Sequence, residues 1–127
     1  MTAVEYVTSV IGKPYAIGGY GPDEFDCWGL VRDYFGRVDG IHIPHIDTTD
    51  VGLLGTCKRM GQTAGWVKIP TPIDGSAVLM SQGKAAHHVG IYINGGVIHA
   101  VDGVGVRWQS IIDIGYLWRV TGYYRRA

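Results

Sequence analysis

Three side chains of this 127-residue chain could carry nucleophilic chemistry together: Cys27, His88 and His99. A thiol attacks as its thiolate, and an imidazole is the side chain best matched at neutral pH to taking the thiol proton. A third polar group must then hold that imidazole in one orientation. Cys27 follows Asp26 and opens the run Cys27-Trp28-Gly29-Leu30-Val31-Arg32-Asp33-Tyr34-Phe35, in which Leu30, Val31, Tyr34 and Phe35 form one apolar stripe. That spacing predicts a helix with Asp26 as N-cap. It puts the thiol in the first turn, where unpaired N–H groups and the helix dipole favour the thiolate. Cys27 shares the face of the stripe, so it is expected to point toward the rest of the fold. A lone cysteine is more often a small buried apolar residue, so the weight falls on the histidines.

His88 and His99 lie on either side of Asn94-Gly95, the preferred dipeptide of a two-residue type I′ hairpin turn, with an alternating apolar run on each flank. A two-residue loop there pairs Ile93 with Gly96, Ile91 with Ile98 and Gly90 with His99. Val89, Ile91, Ile93, Ile98 and Ala100 then share one face and supply core. His88, Gly90, Tyr92, Val97 and His99 share the other. In this register His88 and His99 are diagonal neighbours, roughly 7–8 Å apart at the backbone and close enough for their rings to hydrogen-bond. Gly90, opposite His99, leaves room for another element. Cysteine, base and orienter are thus Cys27, His88 and His99.

Zinc is the competing use of such residues. His87 and His88 are adjacent on a strand and point to opposite faces, so both do not readily reach one ion, and no metal is expected. His42 and His45, flanking Pro44, read as loop residues. Cys57 has no histidine nearby and reads as structural. It forms no CxxC pair with Cys27, and a disulfide between them is not expected.

The elements around these residues change character along the chain. Ala3, Val4, Val7, Val10 and Ile11 recur at helical spacing until Gly12 and Pro14 end the pattern. A Gly-rich loop runs from Gly12 to Gly21, and the Cys27 helix follows. From Ile41 to Pro72 the pattern is mixed, with Thr48 or Thr49 capping a helix through Leu53, Leu54 and Met60. Beyond Pro72 come short β-rich runs at Ala77 to Met80, His88 to Ile93, Val97 to Val101, Val104 to Trp108 and Leu117 to Arg125. Helices first and an antiparallel sheet second make an α+β layout, and the length suits one domain over residues 1–127.

Eleven basic residues balance eleven acidic ones, so no bulk field attracts nucleic acid or an anionic membrane. The apolar runs Val89 to Ile93 and Ile111 to Ile114 are far short of a membrane span. Met-Thr-Ala-Val-Glu-Tyr at the amino terminus has no basic n-region and carries Glu5 where an apolar h-region would be, so no secretion signal is expected.

Four segments together resemble the NlpC/P60 cell-wall peptidases, a papain-like family. They are Gly12-Lys13-Pro14-Tyr15 with Gly18-Gly19, then Phe25-Asp26-Cys27-Trp28-Gly29-Leu30, then His88-Val89-Gly90-Ile91-Tyr92-Ile93, then Val97-Ile98-His99-Ala100. The resemblance implies Cys27 as nucleophile, His88 as base and His99 as third member of a triad. It implies that Tyr15 helps the Cys27 N–H stabilise an oxyanion, and that the bond cut joins D-γ-glutamate to the diamino acid of a peptidoglycan stem peptide, with no cofactor.

The chain also departs from that pattern. Many members carry Ser after the nucleophile where this chain has Trp28, a large aromatic contact to substrate, while Asp26 remains to meet a substrate amine. The family's Gly-Asp before the third segment's strand appears here as Asp74-Gly75-Ser76, ahead of Ala77-Val78-Leu79-Met80. Asp-Cys-Trp-Gly-Leu-Val-Arg and Val-Leu-Met look most like the phage-tail branch, which implies other tail proteins as partners and delivery to the cell wall by a virion or a secretion apparatus. Alternatives from other classes are a structural tail component with a vestigial hydrolase fold, a secreted antibacterial amidase effector, and an acyltransferase or lipid-acting relative, the last disfavoured by the lack of a membrane-binding stretch.

Overall fold

The computed structural model describes residues 1–44, 65–83 and 88–127. Helix α1 (Ala3–Val10) begins at a capping box: the Thr2 hydroxyl accepts from Glu5 N–H and the Glu5 carboxylate from Thr2 N–H, each at 3.1 Å. It buries Tyr6 and Val10 and leaves Val4 and Ile11 exposed, so its inner face is rotated from the one that valine spacing alone suggests. Helix α2 (Cys27–Asp39) starts on Asp26 as expected and ends at Gly40 in the left-handed region, φ 67°.

Six strands follow: β1 (Trp66–Ile69), β2 (Ala77–Ser81), β3 (His88–Ile93), β4 (Gly96–Val101), β5 (Gly105–Ser110) and β6 (Arg119–Arg126). They form one antiparallel sheet in the order β1-β6-β2-β3-β4-β5. The β3–β4 hairpin has the register that the Asn94-Gly95 turn requires, with Ile91 opposite Ile98, Tyr92 opposite Val97 and Ile93 opposite Gly96. Both turn residues have positive φ, 57° at Asn94 and 83° at Gly95, as a type I′ turn demands.

The sheet is packed on both faces. On one side Val89, Ile91, Ile93, Ile98 and Ala100 join Tyr6 and Val10 of α1 and Cys27, Leu30, Val31, Tyr34 and Phe35 of α2 in the larger core. On the other, Val78, Met80 and Val97 pack with Ile114 of a short helix, α3 (Ile111–Leu117), and with Tyr92, Trp118 and Val120. The architecture is the expected α+β one, helices packed on an antiparallel sheet, with two elements beyond those read from sequence.

Helix α3 is one of these. Its apolar run contains Gly115 and buries only Ile114, so it shows no wide apolar stripe. What starts it is the Ser110 hydroxyl, accepting from Asp113 N–H at 3.1 Å. Strand β1 is the other, an edge strand whose partner β6 lies at the far end of the chain. The helix expected through Leu53, Leu54 and Met60 falls outside the described residues, as do Cys57, His45 and His87.

Candidate active site

The head of α2 is built by the loop before it. Asp26 is 2% exposed, and its carboxylate is used twice: Oδ1 accepts from Gly29 N–H at 2.6 Å and Oδ2 from Gly18 N–H at 2.8 Å. Asp26 N–H donates in turn to the Gly19 carbonyl at 2.9 Å. The loop thereby crosses so close to the helix that a Cβ at Gly29 would overlap the Gly19 carbonyl oxygen, which is why glycine stands third in the helix. These contacts fix Cys27 as the first residue of α2, where the backbone N–H has no acceptor within the helix. Cys27 is 4% exposed, and α2 packs on β3 and β4, the strands that carry His88 and His99.

Tyr15 lies in the same loop, bridged in parallel to Phe25, with Ala16 N–H donating to the Phe25 carbonyl at 3.0 Å. The loop is also stitched to β5: Gly12 N–H donates to Val106 O and Val106 N–H to Lys13 O, both at 2.8 Å. Tyr15, Pro14, Gly103, Val104 and Gly105 line an open pocket of about 220 Å³ beside this loop. Trp28, expected to face substrate, is 3% exposed; its indole N–H donates to the Pro44 carbonyl at 3.0 Å and its rings pack toward Trp66. Asp26 and Trp28 therefore shape the head of α2 from within. Both side chains are almost sealed from solvent.

The two imidazoles meet directly, His88 Nε2 to His99 Nδ1 at 2.8 Å. Both rings are buried. Gly90 allows the approach, and the room it leaves is filled by β4, through the Val97 side chain, the Ile98 carbonyl and the His99 Cβ. The register offered two further partners that sequence reasoning did not assign. The first is Gln109, whose Oε1 lies 2.8 Å from His99 Nε2. Because His99 pairs with Arg107 across β4 and β5, Gln109 falls two residues along on the same face as a diagonal neighbour; the loop is the three residues Asp102-Gly103-Val104, and a two-residue Asp102-Gly103 turn would have put Gln109 on the other face. The second is Trp118, stacked on His88 with centroids 4.4 Å apart and planes 16° off parallel. No local pattern announces it, because it reaches His88 through the β6–β2–β3 pairings.

Burial holds the protonation of His99 below the ordinary imidazole range; the Gln109 hydrogen bond opposes this shift and the Arg107 charge adds to it. His99 is thus a neutral ring with one donor and one acceptor nitrogen. The structure brings the two imidazoles together, and it sets the buried thiol at a helix start on the other face of the strands that bear them. It contains no cluster of three or more metal-ligating side chains among the described residues. His42 is exposed and apart from this chemistry.

Residues 12–124 match the model of the NlpC/P60 family. The chain belongs to the NlpC/P60 family. It is 31% identical over 116 residues to a protein of Listeria innocua named "Probable endopeptidase p60", covering 91% of this chain and 22% of that protein. It is 34% identical over 109 residues to the "Bifunctional muramidase/DL-endopeptidase CwlT" of Bacillus subtilis, covering 85% of this chain and 30% of that one. The chain thus spans under a third of the length of these relatives. Among solved structures, NlpC2 of Trichomonas vaginalis superposes with a TM-score of 0.72 at 26% identity, over 97% of this chain and 45% of that one. The NlpC/p60 domain of the peptidoglycan hydrolase SagA gives 0.66 at 23% identity, over 94% and 92%, which establishes the shared fold.

Proposed function

We propose that this NlpC/P60 domain is a cysteine endopeptidase that cuts peptidoglycan stem peptides, at the bond between D-γ-glutamate and the diamino acid, with Cys27 as nucleophile, His88 as base and His99 as the group that orients it. The observation that carries this reading is the 2.8 Å hydrogen bond between His88 and His99; the pair stands on the sheet face of Val97 and Trp118, while α2 covers the face of Val89, Ile91, Ile98 and Ala100. Relatives named as endopeptidases support the choice of reaction. Because His88 is the first residue of β3, the reading requires the Cys27 sulfur to reach Nδ1 of its ring past the end of that strand.

In this mechanism the Cys27 thiolate attacks the amide carbonyl carbon, and the Cys27 N–H and the Tyr15 hydroxyl hold the resulting oxyanion. As the C–N bond breaks, His88 gives its proton to the departing amine, leaving a thioester on Cys27. Water then attacks the thioester with His88 taking its proton, and the thiol leaves as the new carboxyl end forms. Trp118 against the His88 ring excludes water from one face of the base. The step needs no metal or organic cofactor.

Within the same reading the domain works in a phage tail among other tail proteins, which carry it to the cell wall. Asp26 to Arg32 and Val78 to Met80 support this placement by their likeness to that branch. Finding the chain in purified particles by mass spectrometry, and losing wall digestion by particles that carry Cys27→Ala, would agree with it. Particles without the chain would not.

The enzymatic reading is tested on purified sacculi by counting new amine ends. Release by wild type that falls at least a hundredfold in Cys27→Ala and in His88→Ala is expected. Equal release by wild type and Cys27→Ala would remove the proposal, and loss of particles on deletion together with an unreactive Cys27 would point to an assembly role.

A further inference from the structure

The catalytic assignment above needs the base nitrogen of His88 bare before the thiol gives up its proton, and nothing in a histidine ring alone ensures this. Two neutral imidazoles in contact can share their protons in either sense, and the senses differ at the outer nitrogens. Gln109 breaks the symmetry. Its Oε1 accepts only, so the 2.8 Å contact puts a proton on His99 Nε2. The neutral His99 ring then has a bare Nδ1, which accepts from His88 Nε2 across the second 2.8 Å contact. With its one proton spent on that bond, a neutral His88 presents Nδ1 as an acceptor. With the amide turned over, the NH₂ group would donate to His99 Nε2, both links would reverse, and His88 Nδ1 would carry a proton and could not act as base.

We propose that Gln109 is a positioning residue that, acting through His99, fixes the tautomers of both imidazoles so that His88 offers an unprotonated Nδ1 to Cys27. This rests on the endopeptidase reading for its use, though not for its geometry. A neutral amide suits the task better than a carboxylate would. It orients the ring without drawing a second proton onto His99, which burial and Arg107, directly across on β5, both oppose. The charged group facing His99 is Arg107 from β5, and its titratable partner is His88 from β3.

The test combines ring nitrogen spectra with kinetics. In protein labelled with ¹⁵N-histidine, His99 is assigned by its disappearance in His99→Asn. Its resonances are expected to show a protonated Nε2 and a bare Nδ1 in wild type, a mixture or the reverse in Gln109→Leu, and the wild-type form again in Gln109→Glu, which keeps the acceptor. On sacculi, Gln109→Leu should lower kcat about tenfold or more with KM within about twofold. Gln109→Glu should recover most of that loss, with the acid limb of its pH profile displaced upward as the carboxylate favours a charged His99. A wild-type His99 protonated at Nδ1 overturns the proposal without any variant, and so does a Gln109→Leu protein with unchanged tautomer and kcat. If wild type shows no Cys27-dependent hydrolysis while the ring spectra behave as described, the endopeptidase reading fails and the role of Gln109 in ordering the pair stands.

Discussion

An imidazole buried beside a cation keeps its proton less readily than one in water, and His99 is in that position. In the unfolded chain it titrates near 6.5, while in the fold it binds a proton only at lower pH. Below 6.5 the unfolded state therefore takes up the proton first. The stability that neutral His99 contributes is complete above that pH and is lost as pH falls through the folded value. Thermal melts from pH 8 to 5 should show wild type losing Tm on the acid side and His99→Gln, which has nothing to titrate, losing less. Parallel slopes would contradict this account of His99. The place of Cys27 at a helix start and the meeting of His88 with His99 were legible because a helix start and a hairpin turn are local signals. Gln109 and Trp118 were not, since one needed a second hairpin in register and the other a contact carried across three strands.

At the scale of elements, the head of α2 is held by Asp26. Asp26 accepts from two N–H groups, one in the helix and one in the loop. Asp26→Ala should cost about 1–3 kcal/mol in urea unfolding, more than an ordinary cap, because the buried Gly29 N–H is stranded and the loop tie to Gly18 is lost with it. Asp26→Asn, keeping one carbonyl acceptor, should fall between. Gly29→Ala forces the Gly19 carbonyl away and should be worse than Asp26→Asn; an unfolding midpoint like that of wild type would show that the crossing has room to spare. The β3–β4 hairpin was readable to the residue from Asn94-Gly95 and its flanking alternation. Helix α3 was not, because Gly115 and exposed Ile112, Tyr116 and Leu117 erase its pattern and only Ser110 marks its start.

For the molecule as a whole, one sheet serves two packed faces, so neither core stands without the strands of the other. Ile114→Ala, on the face opposite α1 and α2, removes a fully buried side chain and should cost about 2–4 kcal/mol. Far-UV circular dichroism and tryptophan fluorescence should nonetheless report one shared unfolding transition. Separate midpoints would mean that the α3 side melts independently of the larger core. The order β1-β6-β2 joins segments from the middle and the end of the chain, and such pairings leave no mark in a short window of sequence. Periodicity therefore revealed the strands without their neighbours, and β1, with partly buried residues and a distant partner, escaped it.

The proposed mechanism requires the sulfur at the head of α2 and the His88 ring to act as a pair. The pH dependence of Cys27 alkylation by iodoacetamide, followed by peptide mass spectrometry so that Cys57 is counted separately, tests it most directly. The account predicts rapid labelling of wild type well below the free-thiol value of about 8.5, and a His88→Ala profile moved up toward that value with at least tenfold slower labelling at pH 7. Superimposable profiles for the two proteins would show that His88 does not activate Cys27, and the proposed mechanism would be wrong.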